Sequence, residues 1–312
     1  MAELVRSTGK EYVKDLENYF HAKAVILNIS CMDEIKERVD KLKYRDNLNA
    51  SQKNLIHSYY EFGLSETDFD IRSVLLFAFP VPARTLAGFT VNGQIKTFPV
   101  CLENLDQYRT VTEELKEILA ESGYHAVFMP KLPRKILAVS SGLAKYGRNN
   151  IAYVEGMGSF VSLLPFYTDI PPGKTELYPL ERMESCGKCS LCAGMCPNQA
   201  IRTETDIIDS ERCLAYFNEE DSKGHPFPEW INPGIHNSVI GCEICQINCP
   251  QNKAYRDNEV MAALFDEEET ELLLRGAEYE ALQGSFKEKV DALHIGYLLR
   301  ALPRNLQSLF RL

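Results

Sequence analysis

The chain has 312 residues, 45% of them hydrophobic and 25% charged, and a net charge of −10. These values are typical of a folded globular protein, and they exclude a disordered, collagen-like or membrane-embedded chain. The excess of 44 acidic over 34 basic side chains argues against broad binding to phosphate backbones, because such binding needs clustered Lys and Arg.

The N-terminal segment, residues 1–65, is predicted to be a helical cap, because Tyr12, Leu16, Tyr19 and Phe20 recur at three- and four-residue steps. Its first residues are charged every few positions and lack the apolar core of a signal peptide. No apolar run in the chain approaches the roughly 20 residues that cross a bilayer. We therefore expect a cytoplasmic protein that does not enter a membrane.

The next segment, residues 66–172, has the pattern of an α/β domain. Residues 71–81 are rich in β-branched and aromatic side chains and end at two prolines, which predicts a buried strand. Further along, the pattern predicts a helix that stops at Gly123, a strand at 125–129, a helix after Pro133, and strands at 150–154 and 160–166. A break at residues 171–173 marks the predicted end of this domain.

The third segment, residues 173–255, contains eight of the ten cysteines. The first motif places Cys186, Cys189, Cys192 and Cys196 at the spacing of bacterial ferredoxins, followed by a proline. Thiolates at two-residue intervals can surround one face of a [4Fe–4S] cubane while the fourth cysteine ligates a second cluster. The motif therefore predicts a ferredoxin-like domain.

The second cysteine motif is stretched along the chain. Cys213 stands alone, and Cys242, Cys245 and Cys249 follow, again with a proline after the last. Exchange of the fourth ligand between two clusters predicts two ligand sets: Cys186, Cys189, Cys192 and Cys249, and Cys213, Cys242, Cys245 and Cys196. Two neighbouring clusters would pass electrons from one to the other.

Two zinc sites are the alternative for these cysteines, since paired Cys-x-x-Cys motifs are also typical of zinc. The two Cys-Pro endings favour iron–sulfur clusters, because four closed zinc ligands do not account for them. Cys31 and Cys101 lie outside the motifs and are expected to be buried structural thiols. The last segment, residues 256–312, is predicted to be helical, with an acidic face and an apolar face.

Three stretches upstream of the cysteines carry a resemblance. RSVLLFAFPVPA, GLAKYGRNN and GMGSFVSLLPFYTD, in this order before the spaced cysteines, resemble epoxyqueuosine reductase and the related reductive dehalogenases over residues 70–250. The resemblance implies a nitroreductase-like α/β domain that binds cobalamin, followed by a ferredoxin-like domain with two [4Fe–4S] clusters. It thus implies an iron–sulfur oxidoreductase that uses cobalamin.

The same resemblance implies a set of cofactor-binding residues. The GLAKYGRNN loop and the GS element that follows it align with family segments near cobalamin. Glycines let a backbone approach a flat ring closely, and Arg and Asn donate hydrogen bonds. The simpler alternative for this loop is a tight turn with an exposed Arg. The implied cobalamin neighbours are Tyr146, Gly147, Arg148, Asn149, Asn150, Gly158 and Ser159.

The chain departs from the family at positions of chemical interest. Phe128 aligns with an Asp that is thought to donate a proton in the family, and Arg134 aligns with a nearby Glu. Tyr108 and Arg109 align with a Tyr-His pair. The family's acid is therefore missing from this chain.

Three other side chains are candidate catalytic proton donors. Tyr146, Tyr124 and Lys131 lie near the aligned segment, and each can act as an acid if its surroundings shift its pKa toward neutrality. The resemblance does not choose among them.

The expected function is reduction of a small molecule or an unknown substrate by a cobalamin-dependent iron–sulfur enzyme. Its electrons are expected from a ferredoxin or flavodoxin. The net charge of −10 and the lack of the family's long helical-repeat extension argue against a tRNA substrate. The alternatives are an electron-transfer protein without catalysis and a corrinoid-handling protein, both suggested by the missing acid at Phe128.

Overall fold

The computed structural model describes residues 9–63, 66–204, 207–219 and 226–311. These residues form two compact units. Unit one comprises the described residues up to Val81 together with Asp106–Cys189, and unit two comprises Pro82–Leu105 and the described residues from Ser190 onward. The chain therefore enters unit two, returns to unit one and then enters unit two again.

Both units contain helices and strands. The helices of the described residues are α1 (Gly9–Phe20), α2 (Met32–Lys43), α3 (Ala50–Ser58), α4 (Leu105–Glu121), α5 (Arg134–Ser140), α6 (Leu191–Met195), α7 (Leu214–Glu219), α8 (Ile244–Ile247), α9 (Glu267–Arg275), α10 (Gly284–Ala292) and α11 (Leu302–Phe310). The strands are β1 (Lys23–Asn28), β2 (Ser73–Pro80), β3 (Arg84–Val91), β4 (Gln94–Pro99), β5 (Ala126–Phe128), β6 (Ala144–Tyr146), β7 (Ala152–Val154), β8 (Val161–Thr168) and β9 (Glu259–Phe265). The predicted mixed α/β class is confirmed.

Unit one is built on an antiparallel sheet of order β1-β2-β8-β5. Side chains of β2 alternate between its two faces, and every residue of β2 except Pro80 is buried. Leu75 and Phe77 pack on one face with α1 and α4, whereas Leu76 packs on the other face with α2 and α5. Helices therefore cover both faces, which accounts for the continuous apolar run that predicted β2.

The predicted helical cap is wrong at residues 23–28. This stretch forms β1, which pairs antiparallel with β2 from Lys23 opposite Ala78 to Asn28 opposite Ser73. Its Ala-Val-Ile-Leu run suits the edge of a sheet, because β-branched side chains pack well on a pleated surface. The first eight residues of the predicted cap lie outside the described residues.

Unit two contains a three-stranded sheet of order β4-β3-β9. Strands β3 and β4 form a hairpin whose turn residues, Asn92 and Gly93, have φ angles of 51° and 70°. Positive φ at both turn positions suits the right-handed twist of the paired strands, and Asn-Gly is the pair that adopts it best. The apolar core of this unit, which includes Phe89 and Phe265, packs against α9, α10 and α11.

The C-terminal segment is not entirely helical as predicted. Residues 259–265 form β9, which pairs parallel with β3. A parallel partner distant in the chain supplies the hydrogen bonds, so local periodicity could not show it. The predicted domain limits at 65, 172 and 255 do not coincide with the division between the units, and as domain boundaries they stay a prediction.

Predicted elements around the sequence motifs are present. The strands expected at 71–81, 125–129, 150–154 and 160–166 correspond to β2, β5, β7 and β8, and the helix expected after Pro133 corresponds to α5. Among the described helices, none combines the length and the apolar character needed to cross a bilayer.

Candidate cluster and cofactor sites

In unit one, the first cysteines follow a short segment that pairs with β6. The Tyr146 N–H donates to the Glu181 carbonyl at 3.1 Å, and the Met183 N–H donates to the Tyr146 carbonyl at 2.8 Å. A 3₁₀ turn, Glu184–Cys186, begins directly after this pairing, and the Cys186 side chain is buried. The hairpin that contains β6 thus sets where the first cysteine lies.

The loop between β6 and β7 is tied to the same cysteines. The Arg148 guanidinium donates from Nε to the Cys189 carbonyl at 2.8 Å and from Nη2 to the Cys186 carbonyl at 2.6 Å. Arg148 is only 8% exposed. The alternative of a tight turn with an exposed Arg is therefore wrong about the exposure.

The other residues of this loop are packed against its own hairpin. Asn149 is buried, and its Nδ2 donates to the Tyr153 hydroxyl at 3.1 Å. A Cβ on Gly147 would lie 2.5 Å from both Asn149 and Tyr153, so only glycine fits there. Asn150 has a φ of 59°, a left-handed conformation that Asn tolerates better than most residues. Gly147 is thus required by packing within the loop itself.

The second predicted cofactor element, Gly158 and Ser159, follows a tight turn after β7. The Gly158 N–H donates to the Val154 carbonyl at 3.0 Å, and the Val154 N–H donates to the Gly158 carbonyl at 2.8 Å. Gly158 has a φ of 66°, and Ser159 is buried. The assignment of these residues and of the 146–150 loop to cobalamin stays a prediction.

In unit two, the last two cysteines of the first motif and the last two of the second motif lie in similar local structures. Helix α6 contains Cys192 and is followed by Cys196, whereas α8 contains Cys245 and is followed by Cys249. The two helices pack against each other. Each Cys-Pro step leads into a turn, with N–H bonds from Gln199 to the Cys196 carbonyl at 3.0 Å and, in the other motif, from Asn252 to the Cys249 carbonyl at 2.9 Å.

Three cysteines of the predicted second ligand set are close to one another in unit two. Burial raises the pKa of the Cys213 thiol, and the neighbouring thiols of Cys242 and Cys196 raise this pKa further. Burial likewise raises the pKa of Cys242, and the Cys196 thiol adds to the effect. Thiols near one another in an apolar site resist ionisation, and binding of a metal cluster would stabilise them as thiolates.

N–H groups are directed at two of these sulfur atoms. The Ala200 backbone N–H donates to Cys196 Sγ at 3.2 Å, and Asn237 Nδ2 donates to Cys242 Sγ at 3.4 Å. Hydrogen bonds to ligand sulfurs are one of the means by which a protein adjusts the potential of an iron–sulfur cluster. The chemistry of these donors, neighbouring thiols of which two accept N–H bonds, is that of iron–sulfur ligands.

Asn237 belongs to a hydrogen-bonded chain that sequence inspection missed. Its Oδ1 accepts from Ser238 Oγ at 2.8 Å, and the Cys101 thiol lies 3.8 Å from the same hydroxyl. Burial raises the pKa of Cys101, but Cys101 and Cys31 are both only partly buried, so the predicted burial of these two thiols is incomplete. The signal in the sequence was a polar Asn-Ser pair five and four residues before Cys242.

The positions that depart from the family come together in unit one. The Phe128 ring lies 5.8 Å from the Tyr108 ring and 5.3 Å from the Phe166 ring, measured between centroids. Arg134 Nη1 donates to the Tyr108 hydroxyl at 3.2 Å. Arg109 is exposed and pairs with Asp106 instead. Three of the four aligned positions thus share one neighbourhood, and an aromatic ring fills the place aligned with the acid.

The three candidate proton donors do not converge. Tyr146 packs on the sheet face covered by α2 and α5, whereas Tyr124 packs on the opposite face. Lys131 is exposed and pairs with Glu61. Burial raises the pKa of Tyr146, and the neighbouring Tyr60 adds to this, so the shift is away from neutrality. The catalytic role of all three stays a prediction.

The cysteine region matches a known protein family. Residues 185–252 match the family model for a 4Fe-4S double cluster binding domain. This match supports the two predicted iron–sulfur clusters and not the zinc alternative. Residues 185–252 are therefore an iron–sulfur region of the double-cluster kind.

The chain is also related in sequence to epoxyqueuosine reductases. The enzyme of Burkholderia pseudomallei is 30% identical over 220 residues, which are 64% of this chain and 53% of that protein. The enzyme of Pseudomonas aeruginosa is 30% identical over 192 residues, or 54% of this chain and 51% of that one. The predicted resemblance is confirmed, although the chain spans only about half the length of these relatives.

Solved structures show the same fold. A selenomethionine-labelled epoxyqueuosine reductase matches with a TM-score of 0.64 and 19% identity, covering 96% of this chain and 80% of that one. The epoxyqueuosine reductase of Streptococcus thermophilus matches with a TM-score of 0.61 and 15% identity, and the coverage of both chains is the same. The α/β fold with a double-cluster region is therefore the fold of those structures.

Proposed function

We propose that this chain is an iron–sulfur reductase with two [4Fe–4S] clusters and a corrinoid as its second cofactor, acting on a small molecule. The observation that carries the proposal is the set of neighbouring cysteine thiols in unit two. Cys196, Cys213 and Cys242 lie near one another, and Cys196 and Cys242 accept N–H bonds. Their proximity supports a ligand set taken from both motifs.

Metal analysis tests the clusters. Protein purified under nitrogen should contain about eight iron and about eight sulfide per chain and show the EPR signals of reduced [4Fe–4S] clusters. About two zinc per chain and no sulfide would point to the zinc alternative. Colourless protein without iron would end the proposal.

The corrinoid would meet the segments at 146–150 and 158–159. Its cobalt would supply a low-potential centre that exchanges electrons with the clusters and the substrate. The chain's contribution would come from backbone groups around Gly147, Asn150 and Gly158, because the side chains of Arg148 and Asn149 already bond within unit one. The chain is similar in sequence to epoxyqueuosine reductases, and the resemblance to that family implied cobalamin. This similarity supports the proposed corrinoid.

A spectral titration with cobalamin under nitrogen tests corrinoid binding. A saturable change in the cobalamin spectrum with one equivalent per chain is the expected result. An unchanged spectrum, with both iron–sulfur clusters present in the same sample, would remove the corrinoid and leave the clusters.

Tyr146 is the proposed proton donor among Tyr146, Tyr124 and Lys131. Tyr146 is chosen because it lies at the start of the 146–150 loop proposed to meet the corrinoid, although burial raises its pKa and makes its hydroxyl a weaker acid. A Tyr146→Phe variant should keep the clusters and lose turnover, whereas Tyr124→Phe should retain turnover, because Tyr124 lies on the other face of the sheet. Equal turnover of the wild type and Tyr146→Phe would contradict this role.

The proposed substrate is a small molecule, and a tRNA is the alternative substrate that the experiment tests. One of the matched structures is an epoxyqueuosine reductase with a tRNA-Tyr stem loop, at a TM-score of 0.57 and 17% identity. The net charge of −10 opposes such binding by this chain. Salt-dependent binding of a tRNA stem loop at micromolar concentration would favour the tRNA substrate.

A non-catalytic electron carrier or corrinoid-handling protein is the second candidate function. Phe128, at the position of the family's acid, is packed against Tyr108 and Phe166, which favours this alternative. A carrier would accept and release electrons with the same kinetics in the presence and absence of substrate. In a reductase, the reduced clusters would be oxidised faster when the substrate is added.

The proposed donor is a ferredoxin or flavodoxin in the reducing interior of the cell. Reduced flavodoxin should bleach the visible absorption of the oxidised clusters under nitrogen. Clusters that respond to dithionite and to neither carrier would contradict this donor.

A further inference from the structure

Arg148 was predicted from the sequence to face a cofactor, yet its side chain bonds to the first cysteine motif. Nε donates to the Cys189 carbonyl at 2.8 Å, and Nη2 donates to the Cys186 carbonyl at 2.6 Å. The two carbonyls belong to the first and last residues of one Cys-x-x-Cys turn. A single planar group therefore holds both ends of this turn.

We propose that Arg148 is a positioning residue for the cluster bound by Cys186 and Cys189, and that its charge raises the reduction potential of that cluster. The inference rests on the clusters of the proposed function. It concerns how the 146–150 loop positions the turn between Cys186 and Cys189, and it does not depend on a corrinoid.

The geometry of the guanidinium supports the positioning role. Arg presents its N–H donors in a rigid planar fork, so two bonds from one group fix the distance and angle between their acceptors. The relative placement of the Cys186 and Cys189 carbonyls determines how the turn directs its two thiolates. An ammonium group such as that of Lys, with donors at a single point, cannot hold both carbonyls in the same way.

The rigidity of the hairpin supports it as well. The Gly147 N–H donates to the Ile151 carbonyl at 2.8 Å, and the Asn150 N–H donates to the Gly147 carbonyl at 3.0 Å. Asn149 is fixed by its bond to Tyr153. The loop that carries Arg148 is thus held by its own hydrogen bonds. The guanidinium is therefore already in place to hold the turn before a cluster binds.

The charge of Arg148 supports the effect on potential. A guanidinium is protonated at all accessible pH values. Arg148 is 8% exposed, so water screens its charge less than it screens a surface charge. A cluster gains one negative charge on reduction, and net charge and hydrogen bonding near a cluster set its potential. A buried positive charge bonded to the cysteine turn that would hold the cluster therefore favours the reduced form.

Redox titration followed by EPR under nitrogen tests the proposal on the full chain. Arg148→Gln should retain iron in both clusters and lower the potential of one. At a fixed solution potential, its ratio of reduced to oxidised cluster should fall about tenfold, equivalent to about 59 mV for one electron. Lys145→Gln is the matched control, because it removes an exposed positive charge from the same hairpin, and it should leave both potentials unchanged.

Arg148→Lys separates the charge from the fork. It should keep the potential near that of the wild type and broaden the EPR signal of one cluster, since the turn is held less firmly. A broadened EPR signal of one cluster in both Arg148→Gln and Arg148→Lys supports the positioning role, because neither side chain has the planar fork, whereas wild-type signals in both would contradict it. Full iron content with both potentials unchanged in Arg148→Gln would overturn the proposal.

Two further results are distinguishable from these. Weaker cobalamin binding by Arg148→Gln with unchanged cluster potentials would assign Arg148 to the corrinoid and overturn the inference. Wild-type protein that lacks clusters would contradict the proposed function itself before any variant is made.

Discussion

The sheet of unit one and the cysteine segment of unit two differ in how many apolar side chains they bury. In unit one, the sheet β1-β2-β8-β5 buries apolar side chains on both faces, and Phe77, Leu115 and Phe166 are fully buried. In unit two, the described residues between 190 and 258 form short helices and turns, with few buried apolar side chains: Ala200, Ile201, Leu214, Ile231, Val239 and Ile240.

The difference in buried apolar surface suggests a different source of stability for each region. A sheet with both faces covered is stabilised by apolar burial, at roughly 25 cal/mol per Å². A segment with so little apolar surface is expected to depend on metal–thiolate bonds, because metal binding that occurs only in the folded state adds its free energy to folding. The cysteine segment should therefore be ordered by its clusters, and unit one by its core.

Removal of the clusters is the most drastic test of this comparison. Treatment with a chelator and an oxidant should abolish amide protection in residues 190–258 while β2 and β8 keep theirs. Hydrogen exchange with mass spectrometry measures both regions in one sample. Equal loss of protection in the two regions would show that unit one also depends on iron.

Loss of one predicted ligand gives the next largest effect. Cys213→Ala should lower the iron content by about half, because the other ligand set still holds its cluster. Cys31→Ala, a thiol outside both motifs, is the control and should retain all the iron. An unchanged iron count in Cys213→Ala would refute the exchange of ligands between the motifs.

Truncation in the core of unit one should cost stability without affecting the clusters. Phe77 is fully buried against Phe20, Phe79 and Phe166, and Phe77→Ala should reduce the free energy of unfolding by about 3–5 kcal/mol. Denaturant titration under nitrogen, followed by hydrogen exchange in β2, measures the loss.

Tyr44→Ala is the control for this truncation. Tyr44 is 85% exposed, and its removal should change stability by no more than about 0.5 kcal/mol. Loss of iron from folded Phe77→Ala would show that the core of unit one also controls the clusters.

Asn237 tests the fine adjustment of the second ligand set. Asn237→Leu removes the N–H donor to Cys242 Sγ and should lower the potential of one cluster. The ratio of reduced to oxidised cluster should change a few-fold. A hydrogen bond contributes about 1 kcal/mol, and only part of that energy differs between the two redox states. EPR redox titration detects it, and Asn47→Leu at an exposed site is the control.

His236 provides the smallest predicted effect, which depends on pH. Burial lowers the pKa of His236 to about 4, and the charge of Arg304 adds to the shift. The unfolded chain binds a proton at this residue near pH 6.5, so the folded protein loses stability as the pH falls from 6.5 toward 4. His236→Gln should make thermal stability less dependent on pH in this range, whereas the exposed His57→Gln should not.

Local pattern explains which parts of the fold were predictable. Strands β2 and β8 and helix α5 were predictable because each carries its own apolar periodicity or helix-start signal. Strand β1 was missed because the helical periodicity on both sides of it was extended across it, and β9 was missed because its Met, Ala and Leu residues favour a helix by intrinsic propensity. The Asn92–Gly93 pair was a local signal for the β3–β4 hairpin that the sequence prediction did not include.

The sites divide along the same line. The sequence by itself indicated the iron–sulfur chemistry, because the cysteine spacing and the proline after the last cysteine of each motif are local properties. Only the tertiary structure decided that Arg148 bonds to the first cysteine turn and that Asn237 donates to Cys242. The Arg148 bonds join residues about 40 positions apart, and no local pattern encodes which acceptor a buried donor meets after the chain has folded.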